Sequence, residues 1–295
     1  MLIAIIPAYN EERFIGSVVL KARKYVDTVM VIDDGSRDLT AEIAQAAGAI
    51  VIRHETNRGK GVALNSGFQK ARELDAQILV ILDGDGQHRP EEIPIVIAPI
   101  INGEADIVIG SRYLDHKSSV PFFRIWGHKA FTSATNWLSG THLTDSQSGF
   151  RAFSKNAIQK INFKSKDFSV ESEMQFLAKQ QDLKLIEVPV VIRYPDQSKR
   201  PVIVHGASVL NGILRMVGQH RPLLFFGGPG VIVLLAGLLW GAQVVEIYNH
   251  KHELATGYAL ISVLLSVIGT LSLFTGIILH SIRGLMIEIK EEIKR

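Results

Sequence analysis

Two long stretches without a charged residue lie near the C-terminus of the 295-residue chain and restrict its fold more than any other feature. They run from Leu223 to Val245 and from Tyr258 to His280. As a helix, either stretch would be roughly 30 to 35 Å long, about the thickness of a membrane's hydrocarbon layer. Buried core helices are the alternative, but apolar runs of this length are uncommon in soluble cores. The pattern predicts two transmembrane helices joined by a short loop, 246–257.

Basic residues flank the two predicted spans on their outer sides, whereas the loop between them is nearly neutral. The flanking residues are Arg215, His220 and Arg221 before the first span and Arg283, Lys290, Lys294 and Arg295 after the second. Basic flanks remain on the cytoplasmic side, so both termini and the preceding domain are predicted to be cytoplasmic, at the cell membrane. The segments 204–222 and 281–295 are predicted to be amphipathic helices beside the spans.

Composition argues against two classes of function. The net charge of +3 and the pI near 9.0 are mild, whereas a nucleic-acid-binding protein usually carries a denser basic stripe. The chain has no cysteine, which excludes disulfides and thiolate chemistry. We therefore expect no nucleic-acid partner, and we interpret the basic surplus as facing a membrane.

Residues 1–203 alternate between short β-branched runs and segments of helix length. The runs typical of buried strands are Leu2 to Ile6, Val29 to Ile32, Ala49 to Ile52, Ile78 to Leu82, Ile107 to Ile109 and Leu185 to Ile192. The predicted helices are Glu11 to Tyr25, Thr40 to Ala47 and Gly61 to Leu74. From Phe122 to about Gly149 the pattern is looser. The alternation predicts an α/β domain with a largely parallel sheet.

Polar motifs stand at the ends of four predicted strands: PAYNEE, DDGS, DGDGQH and GSR. Ligands of parallel sheets bind beyond the carboxyl ends of the strands, so these motifs predict a site at that edge. In DGDGQH, Asp83 and Asp85 are one residue apart. Two such carboxylates can bind a hard divalent cation, Mg²⁺ or Mn²⁺, that also grips a diphosphate. An ordinary Asp-Gly turn uses the same residues, but the position after a buried strand favours a site.

The order of PAYNEE, DDGSRD, NRGKGVALNSGF, DGDGQH, GSRY and DSQSGFRAF resembles the inverting family-two glycosyltransferases of the A-type nucleotide-sugar fold. It is most similar to their polyprenyl-phosphate branch, which includes dolichol-phosphate mannose synthases and polyprenyl-phosphate glucosyltransferases. The resemblance covers about residues 1–199. It implies a Rossmann-like, mostly parallel sheet followed by two transmembrane helices. It also implies transfer of a sugar, with inversion, from a nucleotide-diphosphate sugar to a polyprenyl or dolichyl phosphate in the membrane.

The resemblance also implies roles for residues of the donor site. The nucleotide-sugar-binding residues would be Pro7, Tyr9, Glu11, Asp33, Asp83, Asp85, Gln87, Arg112 and Lys199. Of these, Asp83, Asp85 and Gln87 would hold the metal ion. For Asp34 we favour a role in capping a turn. Lys60 either approaches a phosphate or is a solvated basic helix end.

The same resemblance places Asp145, Arg112 and Lys199 in the catalytic centre, and Arg124 with Arg112 at the acceptor phosphate. Arginine suits phosphate because its planar fork binds two oxygens and stays charged. Asp145 would orient the reaction, although the residue type also fits a turn before Gly149. The two acids Glu171 and Glu173 either face sugar hydroxyls or begin a helix.

Two departures from the family pattern bear on the substrates. Many mannose synthases have Arg-X-Arg where this chain has Arg193, Tyr194 and Pro195, so UDP-glucose or UDP-N-acetylglucosamine is favoured over GDP-mannose. Some members have a serine one helical turn after Arg124, where His128 stands here. From a different class, the alternative is a catalytically inactive, membrane-tethered sensor or scaffold. The sequence leaves open whether the chain forms a homo-oligomer.

Overall fold

The computed structural model of the chain describes residues 1–114, 122–163, 170–192, 222–253 and 255–294. The chain divides into two compact units, Met1–Val209 and Leu210–Arg295. The predictions for Lys199, for Tyr194 and for segment 204–221 lie outside the described residues.

The first unit contains a seven-stranded, mostly parallel sheet in the order β3-β2-β1-β4-β6-β5-β7. Its strands are β1 (Leu2–Ala8), β2 (Thr28–Asp33), β3 (Ile50–Arg53), β4 (Ile78–Ile81), β5 (Ile107–Ser111), β6 (Arg151–Ser154) and β7 (Leu185–Pro189). The predicted α/β sheet is confirmed. Strand β6 was not predicted, because its four residues include no β-branched run. It is antiparallel to both of its neighbours, β4 and β5.

Both faces of the sheet are covered by helices. The helices of this unit are α1 (Ile15–Ala22), α2 (Thr40–Ala46), α3 (Lys60–Glu73), α4 (Ile93–Ile101), α5 (Phe122–Ser139), α6 (Lys155–Lys160) and α7 (Val170–Gln180), with a 3₁₀ turn at Pro90–Glu92; of these, α5 packs against α7. Along β1, Ile3 and Ile5 belong to one apolar layer, while Ala4 and Ile6 belong to the other. Burial on both faces explains why β1, β2, β4 and β5 appear in the sequence as apolar runs.

Helix α5 occupies much of the segment in which the sequence pattern is loose. Its buried residues include Thr132, Thr135 and Ser139 beside Phe131. Hydrophobic periodicity fails to predict this helix because much of its inward face is polar. The hydroxyls are satisfied locally: Thr135 and Ser139 donate to carbonyls one turn earlier in the helix.

The second unit contains two long helices, Gly228–Lys251 and Thr256–Lys294, with a π-helical turn at Leu223–Gly227. Two segments, Leu223–Lys251 and Thr256–Met286, are long and apolar enough to cross a membrane, each with a mean hydropathy of 2.2. Only 17% and 11% of their most apolar windows are buried. A soluble core helix would be mostly buried, so these are candidate membrane helices.

The ends of these helices differ from the predicted bounds. The first continues through Lys251, and the second runs without a break to Lys294. The change from apolar to charged residues near Arg283 therefore marks no helix end. Small residues bring the two helices close together: Ser262 Oγ donates to Gly237 O at 2.8 Å, and a Cβ at Gly237 would lie 2.7 Å from Ser266 N.

Candidate active site

The DGDGQH segment forms a tight turn directly after β4. Gly86 has a φ of +74°, which favours glycine, and the Gln87 amide donates to Asp85 Oδ1 at 3.0 Å. Inside the turn, the Asp83 amide donates to His88 Nδ1 at 3.1 Å. Burial lowers the pKa of His88 to about 4, so the ring is neutral and its nitrogen can accept this bond. His88 thus shapes the turn that presents both aspartates.

Asp34 anchors the start of α3. Its carboxylate accepts hydrogen bonds from the amides of Arg58 and Gly59, the shortest at 2.8 Å, and lies 2.7 Å from His54 Nδ1. Gly59 has a φ of +92° and directly precedes the helix. Asp34 therefore caps the backbone before α3 rather than the turn in its own segment. This cap holds Lys60, the first residue of α3, in place.

Lys60 lies between two carboxylates. Its Nζ is 2.7 Å from Asp83 Oδ1 and 2.8 Å from Glu171 Oε1. Burial alone would lower the pKa of Lys60, but the two acids raise it above its ordinary value. Lys60 is thus not a solvated helix end, because its ammonium is held by two protein carboxylates. Glu171 lies in the first turn of α7, and within the described residues its buried Oε2 has no hydrogen-bond partner.

The two aspartates of the turn differ in charge environment. Burial acts to raise the pKa of Asp83, but the ion pair and hydrogen bond with Lys60, together with the charge of Arg112 and the neighbouring His88, outweigh it and the pKa falls to about 2. Burial and the Asp83 charge raise the pKa of Asp85 to about 6, and Glu11 adds to that rise. The ionised form of Asp85 is therefore disfavoured by burial and by the negative charges around it, and a bound cation would stabilise that form.

No group of three or more His, Cys, Asp or Glu side chains is arranged to hold a metal ion in the part of the chain that the structure describes. Asp83 and Asp85 could supply two carboxylates, and Gln87 an amide oxygen. Magnesium commonly uses one or two protein carboxylates and takes its remaining ligands from phosphates and water. The donor set therefore fits a cation that is shared with a phosphorylated ligand.

Arg112, which directly follows β5, forms a two-pronged ion pair with Asp145. Its Nε is 2.6 Å from Asp145 Oδ2, and its Nη2 is 2.7 Å from Oδ1. Burial acts to raise the pKa of Asp145, but Arg112 holds it below its ordinary value. Asp145 is therefore ionised at neutral pH, and it holds the guanidinium in one plane.

Glu187 on β7 fixes the other side of this pair, and sequence reasoning missed it. Its carboxylate accepts from the amides of Thr144 at 2.7 Å and Asp145 at 2.9 Å. The sequence signal was one acid within the otherwise apolar strand LIEVP.

The predicted nucleoside residues lie at two neighbouring strand ends. Ala8 at the end of β1 is in register with Asp33 at the end of β2, with Pro7 in β1 and exposed Tyr9 just after it. Asp33 is fully buried; its Oδ1 accepts from the Ser36 amide, and its Oδ2 lies 3.2 Å from Arg53 Nε.

Arg124 lies in α5, but its side chain is outside the described residues, as is all of Lys199. One helical turn after Arg124, His128 Nδ1 is 2.7 Å from the Tyr113 hydroxyl. His128 is thus joined to the residue that follows Arg112. The acceptor roles of Arg124 and Arg112 remain predictions.

The charges of these motifs act on one another across the sheet edge. Arg112, after β5, helps to lower the pKa of Asp83, after β4, and Glu11, after β1, helps to raise that of Asp85. The structure therefore brings PAYNEE, NRGKG, DGDGQH, GSR and DSQSGFR to one region. An acidic pair flanked by two cations can bind a diphosphate together with a divalent ion.

Comparison with known proteins agrees with this arrangement. The sequence model described as glycosyl transferase family 2 matches residues 3–162, more than half of the chain. UDP-N-acetylglucosamine–dolichyl-phosphate N-acetylglucosaminyltransferase of Methanococcus voltae is 36% identical in an alignment of length 234, which covers 72% of this chain and 92% of that protein. Undecaprenyl-phosphate mannosyltransferase of Micrococcus luteus is 30% identical in an alignment of length 224, which covers 71% of this chain and 91% of that protein.

Among solved structures, glucosyl-3-phosphoglycerate synthase of Mycobacterium tuberculosis, in complex with Mn²⁺, UDP and phosphoglyceric acid, has a TM-score of 0.57. The match covers 74% of this chain and 78% of that one at 22% identity, so it shows a shared fold alone. The fold is thus the A-type glycosyltransferase fold predicted from the motifs. With the family match over the sheet and the motifs at its edge, the chain belongs to glycosyl transferase family 2.

Proposed function

We propose that this protein transfers a sugar from a nucleotide-diphosphate sugar to a polyprenyl or dolichyl phosphate, with inversion at the anomeric carbon. The observation that carries the proposal is the Arg112 guanidinium, which Asp145 holds in place and whose positive charge acts on Asp83 after β4. Two exposed apolar helices supply the means to reach a lipid substrate. Relatives named as dolichyl-phosphate and undecaprenyl-phosphate transferases support this substrate class.

The donor that we propose is UDP-N-acetylglucosamine or UDP-glucose. The departure at Tyr194 and Pro195 from the mannose-synthase pattern supports a uridine donor. The Methanococcus voltae relative, named for UDP-N-acetylglucosamine, has a higher identity than the mannosyltransferase. GDP-mannose is the second candidate.

In the proposed reaction, an oxygen of the acceptor phosphate attacks the anomeric carbon from the face opposite the diphosphate. The bond from that carbon to the diphosphate oxygen breaks, and its electron pair stays on the oxygen. Arg112, held in plane by Asp145, lowers the energy of the resulting negative charge, and Lys199 is proposed to add a second positive charge. An α-linked donor then gives a β-linked lipid-phosphate sugar.

Asp83, Asp85 and Gln87 are the residues proposed to hold a divalent cation. Bound Mg²⁺ or Mn²⁺ would supply positive charge to the leaving diphosphate. The protein's own contribution is to hold the two carboxylates at one strand end: His88 shapes the turn, and Lys60 keeps Asp83 ionised.

The proposal is tested by release of nucleoside diphosphate from a set of nucleotide sugars with the purified full-length protein. Release is expected only when both a divalent cation and polyprenyl phosphate are present, and most rapidly with a UDP-sugar. The reaction product should carry the sugar on the lipid phosphate by mass spectrometry. A protein that binds UDP-sugars but releases no UDP under any of these conditions would support the scaffold alternative.

Gly149 offers a specific prediction, because a Cβ at this position would overlap Asp83 Oδ2 and lie 3.0 Å from its Cγ. We expect Gly149→Ala to displace the Asp83 carboxylate and to lower kcat by about 100-fold, since a displacement of about 1 Å in a site can cost that much. Alanine should add no backbone strain, because Gly149 is not among the described glycines with positive φ. Turnover and the melting temperature are measured together.

The matched control is Gly16→Ala. A Cβ there would lie 2.9 Å from Ile43 Cγ2, so the crowding is comparable but falls between helices α1 and α2. This control should lose about 1–3 kcal/mol of stability and keep the kcat of the wild type. A wild-type kcat in Gly149→Ala would show that the position of the Asp83 carboxylate is unimportant.

We also propose that the catalytic unit and both termini are cytoplasmic, because basic residues flank the two apolar helices on their outer sides. The chain has no cysteine, so Asn249→Cys and Lys294→Cys each introduce a single thiol. An impermeant thiol reagent should label Asn249→Cys in intact cells and Lys294→Cys only after permeabilisation. The reversed result would overturn this orientation.

A further inference from the structure

Arg151, the first residue of β6, is a charged side chain that is fully buried. Its guanidinium donates three hydrogen bonds of 2.8 Å to backbone carbonyls: Nη2 to Ser146 O, Nε to Ser148 O and Nη1 to Glu171 O. Nη1 also lies 3.0 Å from Met174 Sδ. Burial of a cation carries a large desolvation penalty, so an arginine that only filled the core would destabilise the fold.

The three carbonyls belong to two separate segments of the chain. Ser146 and Ser148 lie in the connection before β6, and Glu171 lies in the first turn of α7. One guanidinium therefore ties the connection to the helix. The planar fork of arginine fits such a task, because its donors diverge in fixed directions.

Each segment held by Arg151 carries a group of the candidate active site. Asp145, next to Ser146, binds Arg112. Gly149, next to Ser148, lies so close to the Asp83 carboxylate that a Cβ would not fit between them. Glu171 itself pairs with Lys60. Arg151 makes no described hydrogen bond to Asp83, Asp145 or Arg112: it holds their segments by backbone carbonyls, and its charge also interacts with Asp145 and Asp83 from a distance.

We propose that Arg151 is a positioning residue for glycosyl transfer, which fixes segment 145–149 and the start of α7 around Asp83 and Arg112. The inference rests on the proposed function, but it assigns a role to a residue outside the substrate contacts. It differs from a general role in stability, because it predicts a loss of turnover in a protein that remains folded.

Arg72 provides a matched control within the same unit. Its Nη1 donates to Ile158 O at 2.9 Å and Ile161 O at 3.3 Å, so it also ties two segments together through backbone carbonyls. Those carbonyls belong to α6 and the residue after it, and neither borders Asp83, Asp145 or Arg112 in the chain. Loss of Arg72 should weaken the fold and leave the site in place.

The experiment compares Arg151→Met, Arg151→Lys and Arg72→Met in the full-length protein, at a temperature below the melting point of all of them. Arg151→Met is expected to lower kcat by about 100-fold. Arg151→Lys should fall between Met and the wild type, because an ammonium keeps the charge but not the planar fork. The KM for the nucleotide sugar should change less than kcat, since the predicted nucleoside residues at the ends of β1 and β2 lie outside the segments that Arg151 holds. Arg72→Met should melt at a lower temperature with the kcat of the wild type.

A second measurement is independent of substrate. Hydrogen exchange of peptides covering 144–150 and 170–176 should be faster in Arg151→Lys than in the wild type, and unchanged in Arg72→Met. If Arg151→Met does not fold, the Lys variant supplies both measurements.

A folded Arg151→Met or Arg151→Lys protein with wild-type kcat would overturn the inference, as would an equal loss of kcat in Arg72→Met. Absence of turnover in the wild-type protein, with every donor and acceptor, would instead reject the proposed function. Unchanged exchange in Arg151→Lys would overturn the positioning role whatever the substrate is.

Discussion

Asp85→Asn is expected to lower kcat by about 1,000-fold, a loss of roughly 4 kcal/mol of transition-state stabilisation. The substitution keeps the size of the side chain and removes one negative charge from the proposed cation site. Burial and the neighbouring charge of Asp83 already disfavour the ionised form of Asp85. A carboxylate is kept in such a place at a cost, and a bound cation would offset that cost.

The measurement is turnover with Mn²⁺ or Mg²⁺ titrated over a wide range. Extra Mn²⁺ should restore little activity to the variant, whereas wild-type turnover should stop with a chelator and return with either ion. The control is Asp182→Asn, the same change in an exposed turn with a φ of +51°, which asparagine tolerates. Near-normal turnover of Asp85→Asn without added metal would reject the cation site.

Asp145→Asn is expected to lower kcat by about 100-fold, because an amide cannot hold both prongs of the Arg112 guanidinium. Asp145 is fully buried, and its loss leaves Arg112 without its ion-pair partner at that position. Breaking a buried pair from one side also destabilises the fold, by about 3–5 kcal/mol. Turnover is therefore measured per folded molecule, below the melting temperature of the variant.

The pH dependence separates an orienting role from that of a general base. A phosphate monoester loses its second proton with a pKa of about 6, so near neutral pH the acceptor is already mostly a dianion. It has little need of a base, unlike a sugar hydroxyl. The wild-type rate should rise as the acceptor deprotonates and then level off. The loss in Asp145→Asn should be a nearly constant factor from neutral to alkaline pH.

The titration of Asp145 itself does not disturb this test. Folding lowers its pKa, so the stability contributed by the pair is complete above the unfolded pKa of about 4 and is lost as the pH falls through the lower folded value. The pair is therefore intact throughout the neutral and alkaline range. A steady recovery of Asp145→Asn with rising pH would show that solvent base replaces a missing proton acceptor, and that Asp145 is the base.

Local patterns were enough to predict much of the fold. Strands β1, β2, β4 and β5 are buried on both faces, so each appears as a short apolar run, whereas the edge strand β3 is only half-buried and is recognised by its β-branched residues alone. The two candidate membrane helices appear as long uncharged stretches for a similar reason, because a helix surrounded by hydrocarbon is apolar on all sides. Helix α5 did not follow this rule, because Thr132, Thr135 and Ser139 satisfy their hydroxyls inside the protein. Polar residues on an inward face cannot be told from polar residues in solvent by spacing alone.

The sequence by itself determined that the polar motifs after β1, β2, β4 and β5 lie near one another, because the carboxyl ends of parallel strands meet at one edge of the sheet. Only the tertiary structure decided what each side chain pairs with. Lys60 lies between Asp83 and Glu171, Glu187 holds the Asp145 amide, and Arg151 binds the carbonyls around them. These pairings join residues far apart in the chain, and burial sets their charge states. The spacing of residues in the sequence gives neither the distances between these side chains nor their burial, because both are set only when the helices pack on the sheet.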